Sequence, residues 1–262
     1  MAHPKGWLIA IRKFNRFELK YLISYDTALK LQEDLKNYVI PDAYAKETNG
    51  LYTLSSLYYD TDDYRFYWEK IDGIKYRRKL RIRQYETTEP LNDDSLVYVE
   101  IKQRVDRVTQ KRRVPMKYKD ALLLCNEWII PEHEKVDEAT LFEIYEMIKQ
   151  HNLRPSCITS YVRNAYFWTD YDSWLRVTFD TNIRYRTKNL DLSDKQIWEF
   201  MISPNMVIME VKANERVPYW MTEMVSNYNF RLIRVSKYCQ GLEASSEVPH
   251  TVFFVGDDAL KK

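Results

Sequence analysis

Residues 75–104, KYRRKLRIRQYETTEPLNDDSLVYVEIKQR, decide the fold because they contain two strand-like segments that sort charge by position. In the first segment, the odd-numbered positions (one parity) carry Lys75, Arg77, Lys79, Arg81 and Arg83, and the even-numbered positions (the other parity) carry Leu80 and Ile82. After a turn-rich gap at 87–95, one parity carries Glu100, Lys102 and Arg104, and the other carries Val97, Val99, Ile101 and Gln103. Alternate side chains of a β-strand share a face. The stretch therefore predicts two strands, each with an aliphatic face and a charged face.

The composition is that of one large folded domain. At 262 residues the chain can bury a substantial core. Its 40 basic and 38 acidic residues leave a formal net charge of only +2, which excludes a uniformly basic nucleic-acid binder. An anion site must therefore come from sorting the charges in space. The cysteines, Cys125, Cys157 and Cys239, are widely separated, which predicts reduced thiols in a cytosolic protein.

The rest of the chain predicts a mixture of strands and helices. Further strands are predicted at 14–23, 51–59, 107–115, from 158 to about 186, at 206–213 and at 230–238. Helices are predicted from 24 to before Pro41, and at 64–70, 117–127, 138–151, 193–201 and 217–228. We interpret the acidic group at 60–63 as a helix N-cap rather than a metal site. The pattern predicts an α+β fold.

Charge on the strands is the main clue to function. A polar sheet face usually lies in water, but like charges follow one another along one face in Lys79, Arg81 and Arg83, and their repulsion is a cost. A bound polyanion offsets that cost, because arginine and lysine suit phosphate oxygens. The tripeptide Glu-x-Lys also recurs on charged parities, at Glu18/Lys20, Glu100/Lys102 and Glu210/Lys212. Carboxylates are ligands for Mg²⁺ or Mn²⁺.

These features predict a site for a metal and a polyphosphate. If about eight strands form an antiparallel β-barrel with the charged parity inside, the lumen becomes a cationic tunnel. The aliphatic parity then packs against flanking helices.

The same residues carry a resemblance to a known family. The motifs are Arg16-Phe17-Glu18-Leu19-Lys20-Tyr21, Tyr59-Asp60-Thr61, Leu80-Arg81-Ile82-Arg83, Glu100-Ile101-Lys102, Lys111-Arg112-Arg113, Tyr161-Val162-Arg163, Glu210-Val211-Lys212 and Ser236-Lys237-Tyr238. In this order they resemble the VTC domain, the polyphosphate polymerase branch of the triphosphate tunnel metalloenzymes. The resemblance covers residues 14–241, leaving a leader at 1–13 and a polar tail at 242–262. It is closest to the bacterial type, a stand-alone domain without the phosphate-sensing domain of eukaryotic relatives.

The resemblance implies a polymerase that moves the γ-phosphate of ATP onto a growing polyphosphate chain, with Mn²⁺ or Mg²⁺ as cofactor. The implied catalytic residues are Lys20, Arg81, Arg83, Lys102 and Arg163. The implied substrate-binding residues are Lys111, Tyr161, Arg234, Ser236 and Lys237. The implied metal ligand is Glu210, with help from Glu18 or Glu100. Arg16 stands where hydrolytic members of the superfamily have their first glutamate. An anionic acceptor phosphate needs no general base, so the clamping of phosphates by cations carries the chemistry.

Two alternatives remain open. One is a triphosphatase of the same fold, which needs carboxylates to hold and activate water. The other is a non-catalytic module that holds polyphosphate, inositol phosphates or RNA. The charged parity has only Tyr98 and Tyr161 as aromatic residues, so base stacking and a nucleic-acid partner are not expected. We expect ATP, pyrophosphate and polyphosphate as partners and a cytoplasmic location. A membrane protein that receives the polyphosphate at the inner face of the membrane is an open alternative. The sequence does not predict the oligomeric state.

Overall fold

The computed structural model of the protein describes residues 16–42, 51–106, 108–170, 173–194, 198–214 and 216–249. Its strands are β1 (Arg16–Ser24), β2 (Ile40–Pro41), β3 (Leu51–Asp60), β4 (Tyr76–Tyr85), β5 (Leu96–Val105), β6 (Val108–Lys117), β7 (Arg154–Asp170), β8 (Ser173–Arg186), β9 (Glu199–Phe200) and β10 (Met206–Asn214). Its helices are α1 (Tyr25–Leu35), α2 (Arg65–Ile71), α3 (Tyr118–Asn126), α4 (Glu138–His151), α5 (Tyr219–Asn227) and α6 (Lys237–Ala244). The predicted leader at 1–13 lies outside the described residues.

Eight long strands form one antiparallel sheet in the order β1-β10-β8-β7-β3-β4-β5-β6. The α+β class, the antiparallel sheet and its flanking helices are confirmed. The ladder of backbone hydrogen bonds is not closed, because the described parts of β1 and β6, which end the path, do not pair. Side chains connect the two ends instead: the Lys102 ammonium on β5 lies 3.3 Å from the Glu18 carboxylate on β1. The sheet is thus an open barrel that encloses a charged interior.

The segment before α6 runs beside the free edge of β1. Leu232 forms an isolated antiparallel bridge with Tyr21, and the backbone N–H of Ile233 donates to the carbonyl of Lys20 at 2.9 Å. The Lys20 ammonium in turn donates to the carbonyl of Val235 at 3.1 Å. This segment covers the edge that an antiparallel sheet otherwise leaves unpaired.

The predicted last strand at 230–238 is therefore wrong. Beyond the single bridge, the chain turns into α6, whose N-cap is Ser236. The Ser236 hydroxyl accepts a hydrogen bond from the backbone N–H of Cys239 at 3.5 Å, a common way to satisfy a helix start. Tyr238, Cys239 and Leu242 are buried on this helix. Since α6 runs to Ala244, the boundary predicted after Gly241 falls inside a helix.

Helices cover the outer face of the sheet, as the aliphatic parity predicts. Leu80, Ile82 and Val99 have no exposed surface and pack in one core cluster with residues of α3 and α4. A second cluster joins the outer faces of β1, β8 and β10 to α1, with Leu31 and Phe179 at its centre. Each such buried side chain contributes roughly 1.5–3 kcal/mol of hydrophobic free energy. The two clusters fix the sheet from outside and leave the charged parity facing inward.

Asp60 joins three elements at one end of the barrel. Its buried carboxylate accepts hydrogen bonds from the backbone N–H groups of Phe66 at 2.9 Å and Tyr67 at 3.1 Å, in the first turn of α2. The Tyr238 hydroxyl of α6 donates to the same carboxylate. The predicted capping role of the acidic group is confirmed for Asp60, although this residue ends β3 and the formal N-cap is Tyr64.

The predicted helix at 193–201 is wrong in its described part. Glu199 and Phe200 form β9 and pair with β8, and the Tyr185 hydroxyl donates to the Glu199 carboxylate at 2.6 Å. Met201 and Ile202 then enter the core. Residues 195–197 lie outside the described part of the chain.

The three cysteines are free and buried, as expected for reduced thiols. Within the described ranges, we find no helix with the length and apolar character needed to span a membrane.

Candidate functional site

A charged cavity of about 210 Å³ lies inside the barrel. We call it the lumen. Predicted site residues lining it are Glu18, Lys20, Arg81, Arg83, Lys102, Tyr161, Arg163, Glu210, Ser236 and Lys237. Because β1, β4, β5, β7, β10 and α6 each contribute, one cavity collects side chains that are up to about 220 positions apart in sequence. The pleat of each strand places its charged parity on this side.

The charges of the lumen are buried, unlike those of a solvated sheet face. Glu100 and Asp180 have no exposed surface, Glu210 is 5% exposed, and Arg83 and Arg163 are each 6% exposed. Buried ions are tolerated only when they are paired and hydrogen-bonded. The interpretation of the alternating charge as an ordinary water-facing surface is therefore excluded.

One ion-pair group lies on β4, β5 and β6. Arg81 donates to the Glu100 carboxylate through Nε at 2.8 Å and through Nη2 at 2.5 Å, and Lys111 lies 3.3 Å from its other oxygen. Burial raises the pKa of Glu100, but the surrounding cations, Arg81 foremost, outweigh burial and hold that pKa well below its ordinary value. Glu100 therefore stays ionised and fixes the Arg81 guanidinium. Its two oxygens are both engaged by cations.

A second group lies on β7, β8 and α6. Arg163 donates to both oxygens of Asp180, at 2.6 and 2.8 Å, and the Lys237 ammonium donates to Asp180 at 2.6 Å. Burial acts to raise the pKa of Asp180, but Arg163 and Lys237 outweigh it and lower that pKa to about 2. One carboxylate thus holds two cations at fixed positions against the lumen.

The pairing of Asp180 with Arg163 and Lys237 predicts how the free energy of unfolding depends on pH. Because the folded pKa of Asp180 is about 2 against an ordinary 3.8, its stabilisation is present above about pH 4 and is lost as pH falls towards 2. The loss is about 2 kcal/mol of unfolding free energy. Urea unfolding at pH 4, 3 and 2 should show a smaller acid-induced loss for Asp180→Asn than for the wild type. The exposed Asp62→Asn variant is the matched control and should keep the wild-type slope. Equal slopes for Asp180→Asn and the wild type contradict the assignment.

Glu18 and Glu210 form the third group, on neighbouring strands β1 and β10. Lys20 lies 3.1 Å from Glu18, and Lys212 lies 2.9 Å from Glu210. Burial acts to raise the pKa of Glu210, yet Lys212 and Lys20 outweigh burial and bring that pKa well below its ordinary value. Burial lowers the pKa of Lys212 to about 8, against the attraction of Glu210. Two adjacent ionised carboxylates therefore meet inside a cationic cavity.

This pair is the part of the lumen that fits a divalent cation. Among the described residues there is no group of three or more histidine, cysteine or carboxylate side chains suited to hold a metal by themselves. Mg²⁺ commonly binds through one or two carboxylates together with substrate phosphates. Glu18 and Glu210 line the lumen and match that donor set, whereas Glu100 has no exposed surface and does not line it.

Arg83 is held differently from the other arginines. Its Nε donates to the Ser56 hydroxyl at 3.2 Å and its Nη2 to the Tyr161 hydroxyl at 3.0 Å, and no described carboxylate forms an ion pair with it. Burial acts to raise the pKa of Tyr161, but Arg163 and Arg83 outweigh it and lower that pKa to about 8. Because its hydrogen-bond partners are hydroxyl groups, Arg83 is not tied to a carboxylate by a close ion pair, which suits it to bind an anion.

The start of α6 closes one side of the lumen. The Lys79 ammonium donates to the Ser236 hydroxyl at 2.8 Å and lies 4.8 Å from the ring centre of Tyr238. Ser236 and Lys237 both line the lumen, so the N-terminus of a helix, with its partial positive charge, adds to the cationic wall.

A larger cavity adjoins the lumen. It has a volume of about 860 Å³ and shares Glu18, Lys20, Lys70, Arg77, Arg104, Val235 and Ser236 with the lumen wall. We call it the vestibule. The structure places Arg234 here rather than in the lumen, and it places Lys111 behind Glu100, with 43% of its side chain exposed.

Sequence reasoning missed Asp180, Lys212, Lys79 and Tyr58 as site residues. Each lies on the charged parity of its strand, so a signal was present. What the sequence hid was which side chains meet across long separations: Asp180 contacts Lys237 across 57 positions, and Lys79 contacts Ser236 across 157. Both contacts join a strand to the start of α6, so they depend on where that helix packs.

The geometry suits a multiply charged phosphate compound. Arginine and ammonium groups converge from several walls on one narrow space. Arg81, Arg83, Lys102 and Arg163 are each held by a carboxylate or a hydroxyl before any ligand arrives. Such preorganised donors bind phosphate oxygens strongly, because little reorganisation is needed.

Two known proteins are similar to more than three quarters of this chain. A relative from Trypanosoma brucei brucei named vacuolar transporter chaperone complex subunit 4 is 26% identical, over 77% of this chain and 30% of the relative. The protein of the same name from Trypanosoma cruzi is 25% identical, over 79% of this chain and 30% of the relative. The chain thus spans about a third of the length of these relatives.

Solved structures give a weaker overlap. A Bacillus halodurans protein described as an adenylate cyclase superposes with a TM-score of 0.47 at 14% identity, covering 85% of this chain and 95% of the other. A Vibrio parahaemolyticus protein with the same description gives a TM-score of 0.41 at 11% identity, covering 85% and 94%. Both scores are below 0.5, so the fold described above rests on the strand pairing alone.

The family model named VTC domain matches residues 15–246, which is most of the chain and includes every strand of the sheet. The chain belongs to the VTC domain family.

Proposed function

We propose that this protein is a polyphosphate polymerase that transfers the γ-phosphate of ATP to a growing polyphosphate chain inside the lumen. The observation that supports the proposal best is the convergence of buried, preorganised cations from separate strands on one narrow cavity. We call Arg81, Arg83, Lys102 and Arg163 the phosphate clamp. Lys20, Tyr161, Ser236 and Lys237 extend the binding surface around it.

The clamp acts by position and charge. Phosphoryl transfer spreads negative charge over the equatorial oxygens of the transferred group and requires the attacking and leaving oxygens to be in line. Arg81 and Arg163 are held by Glu100 and Asp180, so their positive charges stay at fixed positions in the lumen wall. Arg83 adds a charge with no carboxylate partner. Together these arginines stabilise the negative charge of the phosphoryl group in the transition state of its transfer.

Glu210 and Glu18 are the residues we propose to hold a divalent cation. When bound there, Mn²⁺ or Mg²⁺ would neutralise part of the negative charge of the phosphates. For Glu100 we propose a positioning role towards Arg81 and Lys111, in place of the metal-binding role that the sequence suggested. Arg234 is proposed to contact phosphates in the vestibule, outside the clamp.

No general base is needed for transfer to polyphosphate. The acceptor's terminal oxygen is already anionic at neutral pH, so the protein has to align it rather than deprotonate it. Lys20 shares Glu18 as a partner with Lys102 of the clamp, and in this proposal it guides the acceptor phosphate towards the clamp.

A triphosphatase is the second candidate, and the adjacent carboxylates Glu18 and Glu210 are the observation in its favour. Such a pair can orient a water molecule beside a metal-bound phosphate. A non-catalytic polyphosphate or inositol-phosphate module is the third. The cytoplasmic location and a membrane partner that receives the product stay predictions.

The fate of a labelled phosphate separates these functions. The purified protein is incubated with Mn²⁺, pyrophosphate and ATP labelled at the γ-position or, in a parallel reaction, at the α-position. We expect γ-label in polymers longer than the primer and α-label only in nucleotide. Gamma-label found only as orthophosphate supports the triphosphatase and contradicts the polymerase. Label that stays in ATP supports the binding module.

A further inference from the structure

Arg78 is a cation on the face of β4 that is otherwise aliphatic. It shares the even parity of Leu80 and Ile82, which pack beneath the helices. Its cross-strand partner on β5 is Gln103, so the sheet places no carboxylate opposite it. Among the described residues no carboxylate forms an ion pair with Arg78, and its Nη2 instead lies 3.0 Å from Nε2 of His151, in the last turn of α4.

A second guanidinium approaches the same imidazole ring. Arg65, at the start of α2, is exposed, and its Nη1 lies 3.4 Å from Nδ1 of His151. It is Nε of Arg65 that donates to the Glu69 carboxylate, at 3.2 Å. The buried ring of Phe66 meets the imidazole edge to face, with the ring centres 5.6 Å apart. Three elements, α2, α4 and β4, therefore hold two cations against one half-buried histidine.

The hydrogen-bonding capacity of this ring does not match its neighbours. A neutral imidazole has one nitrogen that accepts and one that donates, whereas a guanidinium only donates. One of the two contacts therefore sets an N–H group against a cation. Burial, followed by the charges of Arg65 and Arg78, lowers the pKa of His151, so the ring is neutral at pH 7. An anion with several acceptor oxygens would satisfy all three side chains.

We propose that Arg65, Arg78 and His151 form a binding site for a phosphate group outside the lumen, either free orthophosphate or a phosphate monoester. Arg65 and His151 line neither the lumen nor the vestibule. Arg78 borders the lumen, but its guanidinium reaches His151 on α4. When the anion binds, His151 takes up a proton from solvent, so that both ring nitrogens can donate. The site does not depend on the polymerase reaction.

A phosphate suits these donors better than a carboxylate does. It has more acceptor oxygens, and arginine binds it through two N–H groups at once. Two guanidinium groups and an imidazolium also favour a doubly charged anion over a singly charged one. Glu69 competes for Arg65, whereas Arg78 has no such competitor among the described residues. We therefore expect Arg78 to contribute more to binding than Arg65.

The imidazole of His151 is itself the reporter. NMR spectra of the protein with isotope-labelled histidine are recorded during titration with orthophosphate or, in a parallel series, with O-phosphoserine. We expect the ring resonances of His151 to shift in at least one series, and the pKa of His151 to be about one unit higher at saturating ligand. The exposed ring of His133 is the internal control and should not respond. The series with the tighter binding identifies the source of the phosphate group.

Matched variants assign this response to the two arginines. We expect Arg78→Gln to weaken phosphate binding at His151 at least about tenfold, because charge-assisted hydrogen bonds are lost. Arg65→Gln changes an exposed side chain and should weaken binding without disturbing the fold. The exposed Arg231→Gln is the control and should bind like the wild type. Arg83→Ala removes a cation of the lumen and should keep the full response of His151.

Four results contradict the site. These are unchanged His151 resonances with both ligands, equal shifts with acetate and phosphate, wild-type binding by both Arg65→Gln and Arg78→Gln, or loss of the response in Arg83→Ala, which would place the phosphate in the lumen. If Arg78→Gln does not fold, Arg65→Gln decides alone. The titrations need no ATP and no polymer, so a failure of the proposed function leaves their outcome unaffected.

Discussion

Replacing Arg83 by alanine is expected to lower phosphoryl-transfer turnover by about 100-fold or more, while the protein stays folded. Arg83 is 6% exposed and is held by the hydroxyl groups of Ser56 and Tyr161. Its removal takes away a preorganised cation of the clamp but leaves no buried carboxylate unpaired. The cost in unfolding free energy should therefore stay near that of ordinary hydrogen bonds, at about 1–2 kcal/mol.

The contrast between activity and stability makes this variant informative. Turnover is measured from polymer formed per minute at saturating ATP and Mn²⁺, and stability from urea unfolding. Arg231→Ala, which removes an exposed arginine, is the control and should keep wild-type turnover. Wild-type activity in a folded Arg83→Ala protein refutes the clamp.

Replacing Arg163 by alanine is expected to cost about 3–5 kcal/mol of unfolding free energy. The Asp180 carboxylate has no exposed surface and would keep only Lys237 as a close partner. An uncompensated buried charge is far more costly than the loss of a surface ion pair. The change should be measured by urea unfolding at pH 7, where Asp180 is ionised in the wild type.

A second variant separates charge from packing. In Arg163→Ala/Asp180→Asn the unpaired carboxylate becomes a neutral amide, so we expect part of the lost stability to return. A loss below about 1 kcal/mol in the single variant, or no recovery in the double variant, contradicts the view that Asp180 needs Arg163 for its burial.

Much of the fold was predictable because period-two alternation marks strands directly. Leu80 and Ile82 were placed on the helix-covered face and Arg81 and Arg83 on the inner face by parity alone, and the structure agrees. Helices α3 and α4 were predicted within about two residues, since their buried residues recur at helical spacing. These are local signals that a single sequence carries.

The failures depended on contacts that local patterns do not record. Phe230 to Tyr238 has the composition of a strand, but Ser236 caps a helix whose buried face lies against the barrel. Whether that segment pairs as a strand is decided by the free edge of β1, more than 200 positions away. Asp180 carried the correct parity but no motif. Its pairing with Arg163 emerged only from the register of β7 and β8, and its pairing with Lys237 from the packing of α6.

The candidate site, like the fold, was predictable only where local sequence patterns determine it. The sequence indicated which residues are charged and which way they face, and thereby most of the lumen wall. It did not indicate that each clamp arginine except Arg83 is tied to a buried carboxylate. Ion pairing across strands depends on register, and a register is a property of two segments together.

The most direct test of the central claim is product length after the purified protein is given ATP, Mn²⁺ and a pyrophosphate primer. The proposed function predicts a ladder of polyphosphates on a stained gel, absent in EDTA and lost in Lys102→Ala and Glu210→Gln but kept in Lys30→Ala. Such a ladder locates phosphoryl transfer in the lumen. Release of orthophosphate without a ladder, or a ladder that persists in Lys102→Ala and Glu210→Gln, contradicts it.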